Sequence, residues 1–265
     1  MKVIHYLTIA AVVTLMTAGC TAKEHKIAIV AHQGYWDCDQ AHHLGNTVAA
    51  LAQTQANGFW GSEFDVHLTA DDRMLVFHNN DIFGVDIHTS VLDSLTAITY
   101  PDGGHPASLD EFLAQAEKGT TRLVFELKPH PDAERELVFV DKAIEALKAH
   151  NLYSPERVMF ISFSLNMCKR IAELCPDFTN QYLNGDISPD DLFAMGINGV
   201  DYHYTFFYQH PEWIDQARSH GMSLNIWTVD NPEDIQKVID MDPDCITTNA
   251  PLLVREMLGG KELRQ

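Results

Sequence analysis

The residues able to do chemistry gather between Ser62 and His78, beginning with Ser62-Glu63-Phe64-Asp65-Val66-His67-Leu68-Thr69. Strict alternation puts Glu63, Asp65 and His67 on one face of a strand and Phe64, Val66 and Leu68 on the other. At about 3.3 Å rise per residue the two acids stand about 7 Å apart. They repel each other, and burying them unpaired is costly. A divalent cation removes that conflict, and hard carboxylate oxygens favour Ca²⁺ or Mg²⁺ over a soft metal. The apolar run Met74-Leu75-Val76-Phe77 then delivers His78, a residue type suited to general acid or base work.

These side chains need elements to position them, and the chain supplies a regular series. Ile27-Ala28-Ile29-Val30-Ala31 reads as a strand buried on both faces, ending at His32-Gln33-Gly34. A helix over Thr47–Asn57 follows, with Asn46 placed to cap it and Gly58 to stop it. After the Glu-x-Asp strand, residues 79–107 break the rhythm as a loop-like insertion with Gly84, Pro101-Asp102-Gly103-Gly104 and Pro106. A helix from Leu109 to Glu117, capped by Ser108, leads into the strand Arg122–Lys128. Strands then follow at 158–162, 178–183, 198–202, 223–227 and 245–247. Helices near 133–150, 165–174, 189–195, 212–220, 232–241 and 251–258 alternate with them. Alternation of this length means a parallel sheet. Roughly eight repeats favour a TIM (β/α)8 barrel with a small insertion after the second strand, spanning residues 26–260 as a single domain. In such a barrel the strand ends carry the chemistry. Here those ends are His32, Glu63 with Asp65, Glu126 with Lys128, and Trp227, with His78 just beyond the second strand.

Thirty-seven acids against 18 bases leave a net charge of −19. That surface repels nucleic acid and gains nothing from an anionic bilayer, so an anionic substrate needs local cations. No Gly-x-Gly-x-x-Gly turn follows the first strand, which removes the support for a dinucleotide-binding fold. Residues 1–19 read as a lipoprotein-type signal peptide. Lys2 precedes the apolar run Leu7–Met16, and Thr17-Ala18-Gly19 leads into Cys20 as the lipidation site, followed by a tether over 20–25. Export follows, with membrane attachment through a lipid anchor only. Cys38, Cys168, Cys175 and Cys245 remain, without a zinc-type spacing and without an assignable pairing.

The rim chemistry fits a phosphodiester. A cation polarises phosphoryl oxygens, Lys128 adds a point charge, and two histidines supply a base for the attacking oxygen and an acid for the leaving alkoxide. Ala31-His32-x-Gly34, Asn46-Thr47, Gly61-Ser62-Glu63-Phe64-Asp65-Val66-x-Leu68-Thr69-x-Asp71, Val76-x-His78, Phe125-Glu126-Leu127-Lys128 and Trp227-Thr228-Val229-Asp230 occur in that order. Together they resemble the glycerophosphodiester phosphodiesterase family over essentially the whole mature chain. The resemblance implies metal-dependent hydrolysis of a small-molecule glycerophosphodiester to sn-glycerol 3-phosphate and an alcohol. It implies His32 and His78 as the acid/base pair, and Glu63, Asp65 and Glu126 as ligands of one divalent cation. Gln33, Lys128 and Trp227 would meet the substrate. Three positions depart from the pattern: Gln33 stands where the family has Arg, Asn79 where Asp is common, and Gly45 where Glu is frequent. Loss of that arginine removes a charged phosphate contact worth about 1.5–3 kcal/mol, or roughly one to two decades in rate or affinity. Two other readings stay open on these residues, a binding barrel without turnover and a lysophospholipase D-like or lyase activity.

Overall fold

The structure is a computed structural model and describes residues 26–101, 103–259 and 262. Eight strands form the barrel: β1 (Ala28–Ala31), β2 (Gly61–Leu68), β3 (Arg122–Leu127), β4 (Val158–Ser162), β5 (Thr179–Tyr182), β6 (Gly199–His203), β7 (Ser223–Trp227) and β8 (Cys245–Thr248). Each pairs in parallel with the next, and β8 returns to β1 with Ile246 opposite Ile29. The sheet is therefore closed, as the repeated cadence predicts. Closure buries both strand faces and explains why β1, β3 and β4 read as near-continuous apolar runs.

The two faces pack differently. Outward residues such as Phe64, Phe125 and Phe160 join the helix layer through Phe112, Phe139 and Leu147. Inward residues form a smaller core of Ala28, Val30, Val124, Met159, Ile161 and Leu183. That inner core fills the barrel beneath the carboxylates on β2 and β3, so the rim residues stand on packed side chains rather than on a channel.

The helices begin where their caps dictate. Ser108 and Glu111 make a reciprocal capping box at Leu109–Ala116, and Asp132, Ser164 and Asn231 cap later helices through their side chains. The first helix, Val48–Ala56, corrects one expectation. Its cap is Thr47, whose hydroxyl accepts from the Ala50 N–H. Asn46 instead adopts a left-handed φ of 57° and turns its amide inward. Gly34 shows why this helix can sit so close. With φ at 79°, any Cβ there would meet Ala50 Cβ at 2.8 Å.

The insertion is more ordered than a loop. Met74–Val76 folds back antiparallel on the end of β2, and Ala107–Ser108 pairs with it in turn. Between them lie a hairpin (Asp81–Ile82 with Val85–Asp86) and a short helix, Leu92–Thr96, closed over Leu75, Ile82, Ile87, Leu92 and Leu95. A further helix, Tyr204–Gln209, follows β6 without a break. The leader, Cys20 and the tether fall outside the described residues. The four remaining cysteines carry free thiols. Among the described residues no helix is long and apolar enough to cross a membrane.

Candidate active site

At the C-terminal end of the barrel a cavity of about 180 Å³ is lined by His32, Glu63, Asp65, His78, Glu126, Lys128 and Trp227, with Phe163, Asp201 and Thr247 among its other walls. Seven residues singled out from the sequence thus meet in one place. Alternation along β2 supplies Glu63 and Asp65, and Asp65 stands in register with Glu126 on β3. All three carboxylates are buried, and one oxygen from each lies within 4.8 Å of the others, a grouping that no other His, Cys, Asp or Glu cluster matches among the described residues.

Each acid is held separately. Glu63 Oε2 accepts the backbone N–H of Gln33 at 2.7 Å, while Oε1 has no hydrogen-bond partner. Asn46 clamps Asp65 twice, donating from Nδ2 to Oδ2 at 2.8 Å and accepting the Asp65 N–H on Oδ1 at 2.9 Å. The Lys128 ammonium sits between Glu126 Oε1 at 2.8 Å and Asp65 Oδ1 at 3.1 Å. One cation cannot neutralise three buried carboxylates. Burial pushes Glu63 well above the usual carboxylate range, and its neighbours Asp65 and Glu126 push it further. Burial and Asp65 likewise raise Glu126 to about 8. Burial would raise Asp65 too, but Lys128, His78 and the Asn46 bonds outweigh it and hold this acid low. Burial alone would depress Lys128, yet its two carboxylates drive it upward. An orphaned buried oxygen, raised carboxyl groups and an all-oxygen donor set fit a hard divalent cation.

The histidines are oriented from behind. His32 Nδ1 lies 2.8 Å from Asn249 Oδ1, which also accepts from Trp36 Nε1; Asn249 Nδ2 donates to Asp230 at 2.8 Å. With Asn249 fixed as an acceptor, the His32 proton sits on Nδ1, leaving Nε2 bare at 3.9 Å from Glu63 Oε2. Burial lowers the His32 pKa against the pull of Asn249, so the ring is neutral near pH 7. His78 Nδ1 is 2.8 Å from Asn79 Oδ1. His67 lies past the acids on β2, fully buried, with Nε2 at 3.3 Å from the His78 carbonyl. Trp227 donates from Nε1 to the Asp201 carbonyl and stands edge-on to Phe163, forming one wall.

Gln33 is the exception among the expected substrate contacts. Its backbone holds Glu63, but its side chain is not part of the cavity wall; it lies across Gly45, where an added Cβ would come within 2.9 Å of Gln33 Cβ. Three contributors were not anticipated: Asn46 as the Asp65 clamp, the Asn249–Asp230 pair behind His32, and Asp201. Asn249 stands just beyond β8 and Asp201 faces inward from mid-β6, while Asn46 precedes the first helix; none carries a metal or acid/base pattern by spacing.

Residues 32–253 match the model of the glycerophosphoryl diester phosphodiesterase family. The chain belongs to that family. As a glycerophosphoryl diester phosphodiesterase family member it is a phosphoric diester hydrolase, and the carboxylates, histidines and lysine above all fall within the matched span. A glycerophosphodiester phosphodiesterase from Caldanaerobacter subterraneus subsp. tengcongensis is 27% identical over 85% of this chain and 95% of its own length. The crystal structure of a glycerophosphodiester phosphodiesterase from Parabacteroides distasonis is 36% identical, with a TM-score of 0.85 over 89% of this chain and 98% of that one. A phosphodiesterase from Oleispira antarctica, solved with the product sn-glycerol-3-phosphate, shares the fold at 20% identity and a TM-score of 0.73, covering 88% of this chain and 97% of that one.

Proposed function

We propose that this protein hydrolyses glycerophosphodiesters to sn-glycerol 3-phosphate and an alcohol, with one divalent cation, Ca²⁺ or Mg²⁺, held by Glu63, Asp65 and Glu126. The observation that carries the reading is the meeting of this acid triad with His32, His78 and Lys128 around one small cavity. When bound, the cation supplies Lewis-acid polarisation of the phosphoryl oxygens. Lys128 binds and charge-compensates the diester. His32, neutral and bare at Nε2, takes the proton of the attacking hydroxyl. His78, which lines the same cavity, gives a proton to the leaving alkoxide as the glycerol hydroxyl closes a cyclic phosphate; His78 then takes a proton from the water that opens the ring, and His32 returns its proton to the freed glycerol oxygen. The bound product of the Oleispira antarctica relative supports the product side of this reading. Trp227 and Phe163 form an edge-to-face aromatic wall, with the Lys128 ammonium 5.9 Å from the Phe163 ring centroid. We further propose export and acylation at Cys20, on the strength of Lys2, the apolar run and Thr17-Ala18-Gly19-Cys20; a lipid-extended N-terminus in the mass spectrum of the membrane fraction tests it.

The activity test is a panel of glycerophosphodiesters assayed with Ca²⁺ or Mg²⁺ for release of glycerol phosphate. His32→Ala and His78→Ala should each lower kcat by about a hundredfold or more while leaving cation affinity unchanged. Product analysis separates hydrolysis from a lyase, which would accumulate the cyclic phosphate. Absence of turnover with the cation demonstrably bound would sink the proposal in favour of a binding barrel.

A further inference from the structure

The cavity contains a fourth buried carboxyl that neither the acid triad nor the histidine pair uses. Asp201 stands in the middle of β6. Val200 and Tyr202 on either side belong to the layer beneath the helices, so alternation turns Asp201 into the barrel, where it joins the cavity wall. It is 1% exposed, and its Oδ1 has no hydrogen-bond partner. Opposite it in register, Asn225 on β7 is fully buried and leaves Nδ2 without a hydrogen bond. Burial and the Glu126 carboxylate push the Asp201 carboxyl far up, and the Asn225 amide only partly offsets them. A buried carboxyl left in this state costs stability unless something completes it.

Three kinds of partner are available in principle, and the surroundings separate them. The cation is held elsewhere, because Asp201 is not one of the carboxylates whose oxygens cluster within 4.8 Å. A phosphate has a better partner in the Lys128 ammonium, which lies away from Asp201 against Glu126 and Asp65. A neutral hydroxyl satisfies the carboxyl without adding charge. The cavity of about 180 Å³ has room for a three-carbon polyol phosphate. Ile161 and Leu183 offer that polyol carbon-facing walls.

We infer that Asp201 is a specificity-determining residue that binds a free hydroxyl on the half of the diester entering the cavity. The inference rests on the phosphodiesterase reading of the same cavity, but its test needs only binding. The probes are sn-glycerol 3-phosphate and propyl phosphate, which share three carbons and differ in the hydroxyls, titrated calorimetrically into the cation-loaded protein. The wild-type protein should prefer glycerol phosphate by about 2- to 12-fold, the range for a hydrogen bond between neutral groups. Asp201→Val should erase that preference by weakening glycerol phosphate alone, and Asp201→Asn, which keeps an acceptor oxygen, should restore most of it. Cation affinity should not move in either variant. A preference that survives Asp201→Val, or equal weakening of both ligands, overturns the inference. So does a wild-type protein without preference, which is decisive even if Asp201→Val fails to fold. A wild type that binds with this preference yet turns over no diester would refute the hydrolytic reading and leave the Asp201 assignment standing.

Discussion

Binding of the cation should expel protons, and the number is calculable. Metal coordination requires ionised carboxylates, yet in the cation-free protein Glu126 sits at about 8 and Glu63 is pushed up as well. At pH 7 a group at about 8 is roughly ten parts protonated to one ionised, so Glu126 alone accounts for about 0.9 proton per ion. Glu63, pushed up in the same crowded site, adds to that number. Asp65, held low by Lys128 and Asn46, releases none. The free-energy cost of ionising Glu126 is about 1.4 kcal/mol at pH 7 and about 2.7 kcal/mol at pH 6. Through Glu126 alone, apparent cation affinity should therefore fall about fivefold from pH 8 to 7 and about tenfold from pH 7 to 6, and more steeply where both glutamates are protonated. Isothermal titration of Ca²⁺ or Mg²⁺ in buffers of different ionisation enthalpy counts the protons directly. Affinity that stays flat between pH 6 and 8, with no proton released, would show that the glutamates are already ionised and that the electrostatic account of the site is wrong.

Asn46→Ala removes both bonds that hold the Asp65 carboxylate and backbone. It should cost about 1.5–3 kcal/mol of stability and weaken cation affinity by about 10- to 100-fold, both readable by calorimetry; a variant that loses stability but binds the ion normally would make Asn46 purely structural. His67 has its pKa lowered to about 4 by burial, so between pH 6.5 and 4 the unfolded chain binds the proton that the folded one refuses. That stability is present above about 6.5 and is lost as pH falls through this window, to a total of about 3 kcal/mol. His67→Leu should lack this component of acid destabilisation, and identical urea midpoints versus pH in the two proteins would contradict it. Gln33→Arg should raise kcat/KM by about one to two decades by restoring a charged phosphate contact. Gly45→Glu alone should harm the protein, since its Cβ would press on Gln33. The double variant should exceed the sum of the two, and additivity in a double-mutant cycle would rule out their coupling.

The barrel was legible because parallel strands buried on both faces leave unbroken apolar runs with charged residues at their ends. Ser223–Trp227 and Val158–Ser162 are bounded in the structure as the sequence suggests. The insertion was not legible, since Ile82, Ile87, Leu92 and Leu95 follow no fixed period and acquire their meaning only by closing over Leu75. Asn46 and Thr47 posed a different difficulty. Both are good caps, and what assigns the cap to Thr47 is a carboxylate nineteen residues away that takes Asn46 for itself. Asp201 follows the same alternation that exposed Glu63 and Asp65, but a lone acid between Val200 and Tyr202 has no partner along the chain to announce a site. Gln33 and Gly45 show the converse. In the sequence they are two separate departures from a family pattern, twelve positions apart. In space they are one, because the Gln33 side chain occupies the volume that a side chain at position 45 would need. Side chains at positions 33 and 45 therefore compete for one volume, and the two positions have to be varied together. The bond that holds Glu63 comes from the backbone N–H of Gln33, so replacing the side chains at 33 and 45 leaves that anchor of the triad in place.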